Sequence, residues 1–381
     1  MKFFKLDETL DENDDNIRMG KKNISRIVLI ITYCTIIGVI IASIYELKTQ
    51  RYENNIIGWI IGAFFVVIAV PLTIYDIIMH ISNYYKPDLQ MHCVRILFMV
   101  PVYSFNSWLA LLFSAKKVYW ETLRESYEAY VLYSYFHLML NYLGTLDLPN
   151  KTFTHLFPFK CIIAPINGTN FVKQISIGVL QYLIIRMLVT FIGLIIYMID
   201  PVLYGYEDFG SKNAYSVFMA IIALSQAYAV YCIVLFCKRM HDELVGIHPV
   251  SKFLIIKFII FLTFWQNVII PLCNYIEAVQ YVLIYSQDTD GIKNLLICIE
   301  MAFAAIGHHV YYNYTQFGNA SEDIQTKKTK MYAIVQIIMP FDIINNIIQM
   351  FQKKKPVIEQ TPCTVCQRTN CICDSPDFAH V

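Results

Sequence analysis

Residues Ile57–His80 read IGWIIGAFFVVIAVPLTIYDIIMH, an apolar stretch whose first ionisable side chain is Asp76. A helix of about 20 such residues crosses the hydrocarbon core of a bilayer, so this stretch predicts a membrane span. Similar runs occupy Ile27–Tyr45, Cys93–Ser114, Ile175–Ile199, Ala214–Cys237, Phe253–Tyr275 and Ile292–Tyr312. Together they predict an all-α, polytopic membrane protein built as a seven-transmembrane-helix bundle. Composition agrees: 57% of the 381 residues are hydrophobic and 15% are charged, against roughly 25% charged in soluble domains. A net charge of +1 excludes nucleic acid as a bulk electrostatic partner.

The polar stretches divide the chain. Residues 1–24 form a polar, acidic segment with no cleavable signal pattern, and 25–315 form the transmembrane domain. Residues 316–355 form a basic linker and an amphipathic helix, in which Ile334, Ile338, Phe341, Ile344, Ile348 and Phe351 recur every three or four positions between lysine clusters. Such a helix suits the inner leaflet, with its lysines at anionic headgroups, or packing beneath the bundle. Residues 356–381 form a Cys-rich tail expected to be disordered.

One stretch is ambiguous. Trp120–Leu146 is apolar in its second half, yet Glu121, Arg124, Glu125 and Glu128 share one helical face of the first. Lys116, Lys117, Arg124, Lys151, Lys160 and Lys173 surround it, and short basic loops favour the cytoplasm. The stretch is therefore expected to be an interfacial or re-entrant helix, with the amino terminus outside and the carboxyl terminus cytosolic. An eight-span arrangement is the alternative. The sequons at Asn150, Asn167, Asn313 and Asn319 then fall in the cytosol, where they are not glycosylated.

Ionisable groups at membrane depth are the candidates for chemistry, because charge in hydrocarbon is costly. Glu300 and His308 lie on one stripe of the last span, spaced to relay protons or bind a polar headgroup, or else to lock helix packing. His309 points away from that stripe. Arg186 lies mid-span and needs an internal partner, for which Asp76 is the first expectation. Lys257, near the cytosolic edge, can snorkel outward. Asp76 and His80 are one turn apart, and Arg95 is expected to pair with Asp76 at the same interface. Asn106, Gln181, Gln226, Gln266 and Asn267 add uncharged polar groups, which usually join helices. Pro71, Pro101 and Pro271 interrupt three spans.

The tail cysteines Cys363, Cys366, Cys371 and Cys373 begin like a zinc knuckle, but Cys371 and Cys373 are separated by a single residue, so no metal site is expected. Cys161, Cys363 and Cys366 are instead candidates for palmitoylation beside the membrane. The chain carries no HExxH, glycine-rich phosphate loop or nucleophile elbow, and the expectation is a non-enzyme with no cofactor.

Several segments carry a resemblance. Arg95–Phe113 (RILFMVPVYSFNSWLALLF), Arg124–Tyr133 (RESYEAYVLY) and Ile297–His309 (ICIEMAFAAIGHH) closely resemble the transmembrane protein 184 and organic solute transporter alpha family, also catalogued as domain of unknown function 300. His80–Gln90 (HISNYYKPDLQ), Gly178–Tyr182 (GVLQY) and Lys252–Gln266 (KFLIIKFIIFLTFWQ) agree. The resemblance implies seven spans with an external amino terminus. It also implies facilitated movement of amphipathic organic anions such as steroid or bile-acid conjugates, or of lipids, with a single-span accessory subunit as partner. Asn106 stands where many relatives carry aspartate, which puts coupling through that carboxylate in question. On this reading Glu300, His308, Arg186, Asn106 and Gln181 contact the substrate, while Asp76, His80, Arg95 and Lys257 hold the interfaces. The alternative is a receptor or trafficking scaffold that acts through its cytosolic tail.

Overall fold

The computed structural model describes residues 56–113, 116–144, 152–155, 166–205, 214–244, 248–256 and 289–317, parts of 27–45, and residues 258, 337, 342, 343 and 348. The helices are α1 (Ile56–Ser82), α2 (Pro87–Leu97), α3 (Met99–Leu112), α4 (Lys117–Leu143), α5 (Gly168–Ile199), α6 (Pro201–Tyr204), α7 (Ala214–Arg239), α8 (His241–Leu244) and α9 (Thr289–Tyr311). A two-residue antiparallel ladder, Thr152–Phe153 with Ile166–Asn167, joins the chain after α4 to the start of α5. Residues 339–381 form a separate unit, in which only three residues are described.

Five helical stretches are long and apolar enough to cross a membrane: Gly58–Ser82, Pro87–Leu112, Asn170–Ile199, Ala214–Arg239 and Gly291–Phe317. The expected span Phe253–Tyr275 lies almost wholly outside the described residues, and the first run, Ile27–Tyr45, is described only in part. The second stretch counts as one because α2 and α3 meet at Phe98, which keeps right-handed helical dihedrals. Pro101 accounts for the irregularity, since it has no N–H to offer the carbonyl of Leu97. Pro71 lies inside α1, and near it Thr73 Oγ1 donates to the Ala69 carbonyl at 3.0 Å.

Two clusters mark opposite ends of the bundle. At one end Trp59 of α1 stacks on Trp108 of α3, with ring centroids 5.4 Å apart, and Trp108 Nε1 donates to the Trp59 carbonyl at 3.2 Å. Ile36, Ala63, Leu111 and Cys298 bury around them. At the other end His80 Nε2 donates to the Tyr312 carbonyl at 2.8 Å. Thus α1 and α9 run parallel, and α2–α3 returns between the two ends.

Helix α4 runs the whole way between the same ends. Near its start Arg124 meets Ser107 of α3, and Tyr119 meets Tyr197 at the far end of α5. Near its finish Tyr135 Oη donates to the Pro249 carbonyl at 2.9 Å, and Asn141 Nδ2 donates to the Asp88 carbonyl at 3.1 Å. At 27 residues, about 40 Å at 1.5 Å per residue, α4 is as long as the spans beside it. An interfacial or re-entrant helix was expected here, with a crossing as the alternative. The structure packs it among α2, α3 and α5, with Val131, Leu132, Tyr135 and Phe136 buried. The physical reason is that its charges find partners inside the bundle, described below.

Helices α5 and α7 pair closely. A Cβ on Gly178 would stand 2.4 Å from Cys232 Sγ, so only glycine fits there. The outward face of α5 carries Leu188, Phe191 and Met198, exposed as lipid contact requires.

Two outcomes are expected. Lys86→Cys and Asp242→Cys, both at exposed positions of the His80 end, should react with an impermeant thiol reagent from one side of the membrane, and Lys116→Cys from the other; labelling of Lys116→Cys and Asp242→Cys from the same side, with Lys86→Cys from the other, would remove α4 as a full-length crossing. Gly178→Ala should lower thermal stability by about 1–3 kcal/mol through overpacking, and Cys232→Ala in the same chain should restore most of it.

Candidate functional site

The polar centre of the bundle is built on the first half of α4. On one flank Arg124 Nη1 donates to Ser107 Oγ of α3 and to Asn294 Oδ1 of α9, each at 3.0 Å. Asn294 Nδ2 in turn donates to Glu121 Oε1 at 3.3 Å. On the other flank Arg186 of α5 forms an ion pair with Glu125, and Gln226 of α7 donates to Glu128. Ser126 Oγ donates to Thr190 Oγ1 at 3.3 Å. Five positions of one helix thus reach α3, α5, α7 and α9. Glu121, Arg124 and Arg186 are all buried.

Helical geometry produces this arrangement. Residues three and four apart share a face, so Glu121, Arg124, Glu125 and Glu128 form a polar stripe, and the width of that stripe lets Arg124 turn to one side and Glu125 to the other. A charge taken out of water must be paired and hydrogen-bonded. Arg124 is held by a hydroxyl and an amide, and Arg186 by a carboxylate.

The structure redistributes the pairings expected from sequence. Arg186 needs an internal partner, as predicted, but that partner is Glu125 and not Asp76. Asp76 Oδ1 lies 2.7 Å from His309 Nδ1, across the α1–α9 interface. Arg95 does not pair with Asp76 either. Its Nε donates to the Ile337 carbonyl at 3.3 Å, and its guanidinium lies over the Tyr130 ring at 5.4 Å. Asp76 faces α9 while Arg95 faces α4, and this separates them. His80 bonds the backbone at the end of α9.

Gln181 stitches α5 to α7, donating to the Ser225 carbonyl at 3.0 Å and accepting from Ser225 Oγ at 2.8 Å. Asn106 is buried on α3, His308 is fully buried on α9, and Glu300 is half-buried on α9. The five residues expected at a substrate therefore fall on three helices. Arg186 and Gln181 lie on α5, the others on α3 and α9, with α4 contacting both α3 and α5. Lys257, Cys161, Cys363, Cys366, Gln266 and Asn267 lie outside the described residues.

At the His80 end, Lys252 Nζ donates to Gln316 Oε1 at 2.8 Å and lies 5.5 Å from the centroid of the Tyr312 ring. Burial lowers its pKa from the usual lysine value, and the nearby Cys93 opposes that shift. Among the described residues no three His, Cys, Asp or Glu side chains are grouped to hold a metal ion. Sequence reading singled out the charges of α4 but left them on an interfacial or re-entrant helix, and it missed Asn294 and Ser107 altogether. Neither residue has a local signal, since each becomes polar machinery only when Arg124 reaches it.

A bundle of bilayer-length helices with paired charges inside and apolar residues on its outer faces is an integral, multi-pass membrane protein. The chain belongs to the organic solute transporter Ostalpha family, whose profile matches residues 58–317. It is 30% identical over 270 residues to Protein LAZ1 homolog 1 of Arabidopsis thaliana, an alignment covering 64% of this chain and 54% of that protein. The chain thus spans about half the length of the curated relative it matches. No solved structure matches it. The resemblance read from Arg95–Phe113, Arg124–Tyr133 and Ile297–His309 is thereby borne out.

Removing one member of the Arg186–Glu125 pair should destabilise the protein more than removing both. Arg186→Gln is expected to cost on the order of 2 kcal/mol, below the roughly 3–5 kcal/mol of a fully buried pair, because the Glu125 side chain is 37% exposed. Thermal unfolding in detergent of the two single variants and of Arg186→Gln with Glu125→Gln measures this, and a double variant as unstable as the worse single one would show that the pair is not the stabilising unit.

Proposed function

We propose that this protein gives amphipathic organic anions or lipids a facilitated path through or within the bilayer, with the polar centre around α4 as the hydrophilic part of that path. The observation that supports this most directly is the cost of the network. Glu121, Arg124, Glu125, Glu128 and Arg186 sit together inside a membrane bundle, and charge at that depth commonly marks a substrate or ion pathway. Membership of a solute transporter family supports the same reading. Arg186 keeps an Nε–H with no protein partner although it is buried, so it can still bind a sulfate or carboxylate oxygen beside its ion pair. Glu300, His308, Asn106 and Gln181 remain proposed contacts along the same route, and a single-span accessory subunit remains a proposed partner.

The direction of the helices supports a specific topology. Lys86, Lys238, Arg239 and Lys252 lie at the His80 end, and basic loops favour the cytoplasm. That end is the cytosolic one on this reading. Counting α1, α2–α3, α4, α5, α7, the run at 253–275 and α9 gives seven spans within the family region, with the carboxyl terminus inside. The loop at 83–86, expected outside, is then cytosolic. Ile36 packs with Trp59 at the opposite end, so a crossing by 27–45 would be an eighth span and would place residues 1–24 in the cytosol. The external amino terminus expected from sequence depended on excluding α4 from the membrane.

Uptake of a labelled steroid sulfate into proteoliposomes tests the transport reading. Saturable flux that falls about tenfold in Arg186→Gln with Glu125→Gln, equivalent to about 1.4 kcal/mol, with Glu300→Gln as a second variant, is the expected result. Absence of flux from folded protein, with and without a co-purifying small subunit, would overturn the reading and favour a tail-directed scaffold.

A further inference from the structure

The α1–α9 interface carries a second polar cluster, away from the Arg124 network of α4, of which the transport reading uses only His308. Asp76 and His80 lie one turn apart on α1, and His308 and His309 lie in the last turn of α9. Asp76 Oδ1 meets His309 Nδ1 at 2.7 Å, with the Asp76 side chain 10% exposed and that of His309 43% exposed. His80 and His308 are fully buried.

The hydrogen-bond inventory of this cluster is unbalanced. A carbonyl oxygen can only accept, so the bond from His80 Nε2 to the Tyr312 carbonyl fixes the tautomer of neutral His80 and leaves Nδ1 as a lone acceptor. That Nδ1 has no protein partner, and neither do Asp76 Oδ2 or either ring nitrogen of His308. One helix pair therefore presents two acceptors, plus a ring that supplies one donor and one acceptor, all buried. Buried polar groups are nearly always satisfied, by protein or by ordered water. These four atoms lie on the facing turns of α1 and α9 that the Asp76–His309 and His80–Tyr312 bonds join, and three acceptors with one donor are the complement of a hydrated proton, not of an apolar contact.

We propose that the α1–α9 interface is a proton-binding site, in which the Asp76–His309 pair at the rim exchanges protons with water and His80 and His308 hold a short hydrated chain behind it. The proton bookkeeping closes within these groups. With His309 Nδ1–H donating to Asp76 Oδ1, a proton from hydronium adds to His309 Nε2 and leaves a water molecule. The result is an imidazolium facing a carboxylate, and release to water reverses the step. No oxidant or other reactant is needed.

The surrounding elements restrict which other groups contribute. The segment 249–256 presents Lys252, whose ammonium is held by Gln316 and the Tyr312 ring. Helix α2 presents Cys93, and α9 adds Tyr312, whose hydroxyl donates to the Lys252 carbonyl at 3.3 Å. Phe317 packs its ring on His80, and the Ser104 carbonyl of α3 accepts from Cys298 Sγ of α9. Among the described residues of this set Lys252 is the one cation.

The test is independent of flux. Full-length protein carrying 15N-histidine, in lipid nanodiscs, is studied by solid-state NMR across pH 5–8, the range in which histidine changes charge, with magnetisation transferred from water. His309 is expected to convert between neutral and imidazolium forms, His80 and His308 are expected to shift in step with it, and both should receive magnetisation from water. In His309→Gln the pH response of His80 and His308 should be lost while water contact at His308 persists. The wild-type spectra decide the matter even if that variant does not fold. Ring nitrogens of His80 and His308 that stay invariant with pH and receive no magnetisation from water would overturn the proposal and make the cluster a dry packing contact.

Discussion

A charge moved from water into hydrocarbon must bring its countercharge with it, and that constraint organises this bundle. Helix α4 carries Glu121, Arg124, Glu125 and Glu128 within two turns, too many to leave unpaired against lipid. The chain meets the requirement by surrounding α4. Ser107 and Asn294 receive Arg124, Arg186 receives Glu125, and Gln226 donates to Glu128. Helices α3, α5, α7 and α9 are thereby tied to one element, and their outer faces can stay apolar.

The same constraint keeps α4 inside the bundle along its length and so orders the ends. Once α4 traverses the bundle, Asp88 and Asn141 share an end, as do Tyr119 and Tyr197. The parallel pair α1 and α9 follows the same frame, with tryptophan stacking at one end and the His80–Tyr312 bond at the other. Two polar systems of different character result. The one around α4 is dense with mutual hydrogen bonds, whereas the one between α1 and α9 keeps several buried ring and carboxylate atoms without protein partners.

Much of the architecture was legible in the chain. The apolar runs gave the helices because a backbone in lipid must satisfy its own hydrogen bonds, and a run of about 20 apolar residues is a strong signal. Arg186 was legible as a residue that needs an internal partner, since it lies far from either end of its run. The identity of that partner was not, because Glu125 is 61 positions away and looked solvated beside three other charges. Asp76 was misassigned for the complementary reason: its partner His309 lies 233 positions along the chain, on a helix that sequence alone does not place beside α1.

Sequence by itself determined that the chain is helical, membrane-embedded and a member of the solute transporter family, because span length, low charge and motif order are local properties written along one dimension. Tertiary structure alone decided which helices are neighbours, and hence whether a charged stripe faces water or the interior. Glu121, Arg124, Glu125 and Glu128 read as a surface in one dimension and form the centre in three, because the free energy of a buried charge depends on the partners that other helices bring to it.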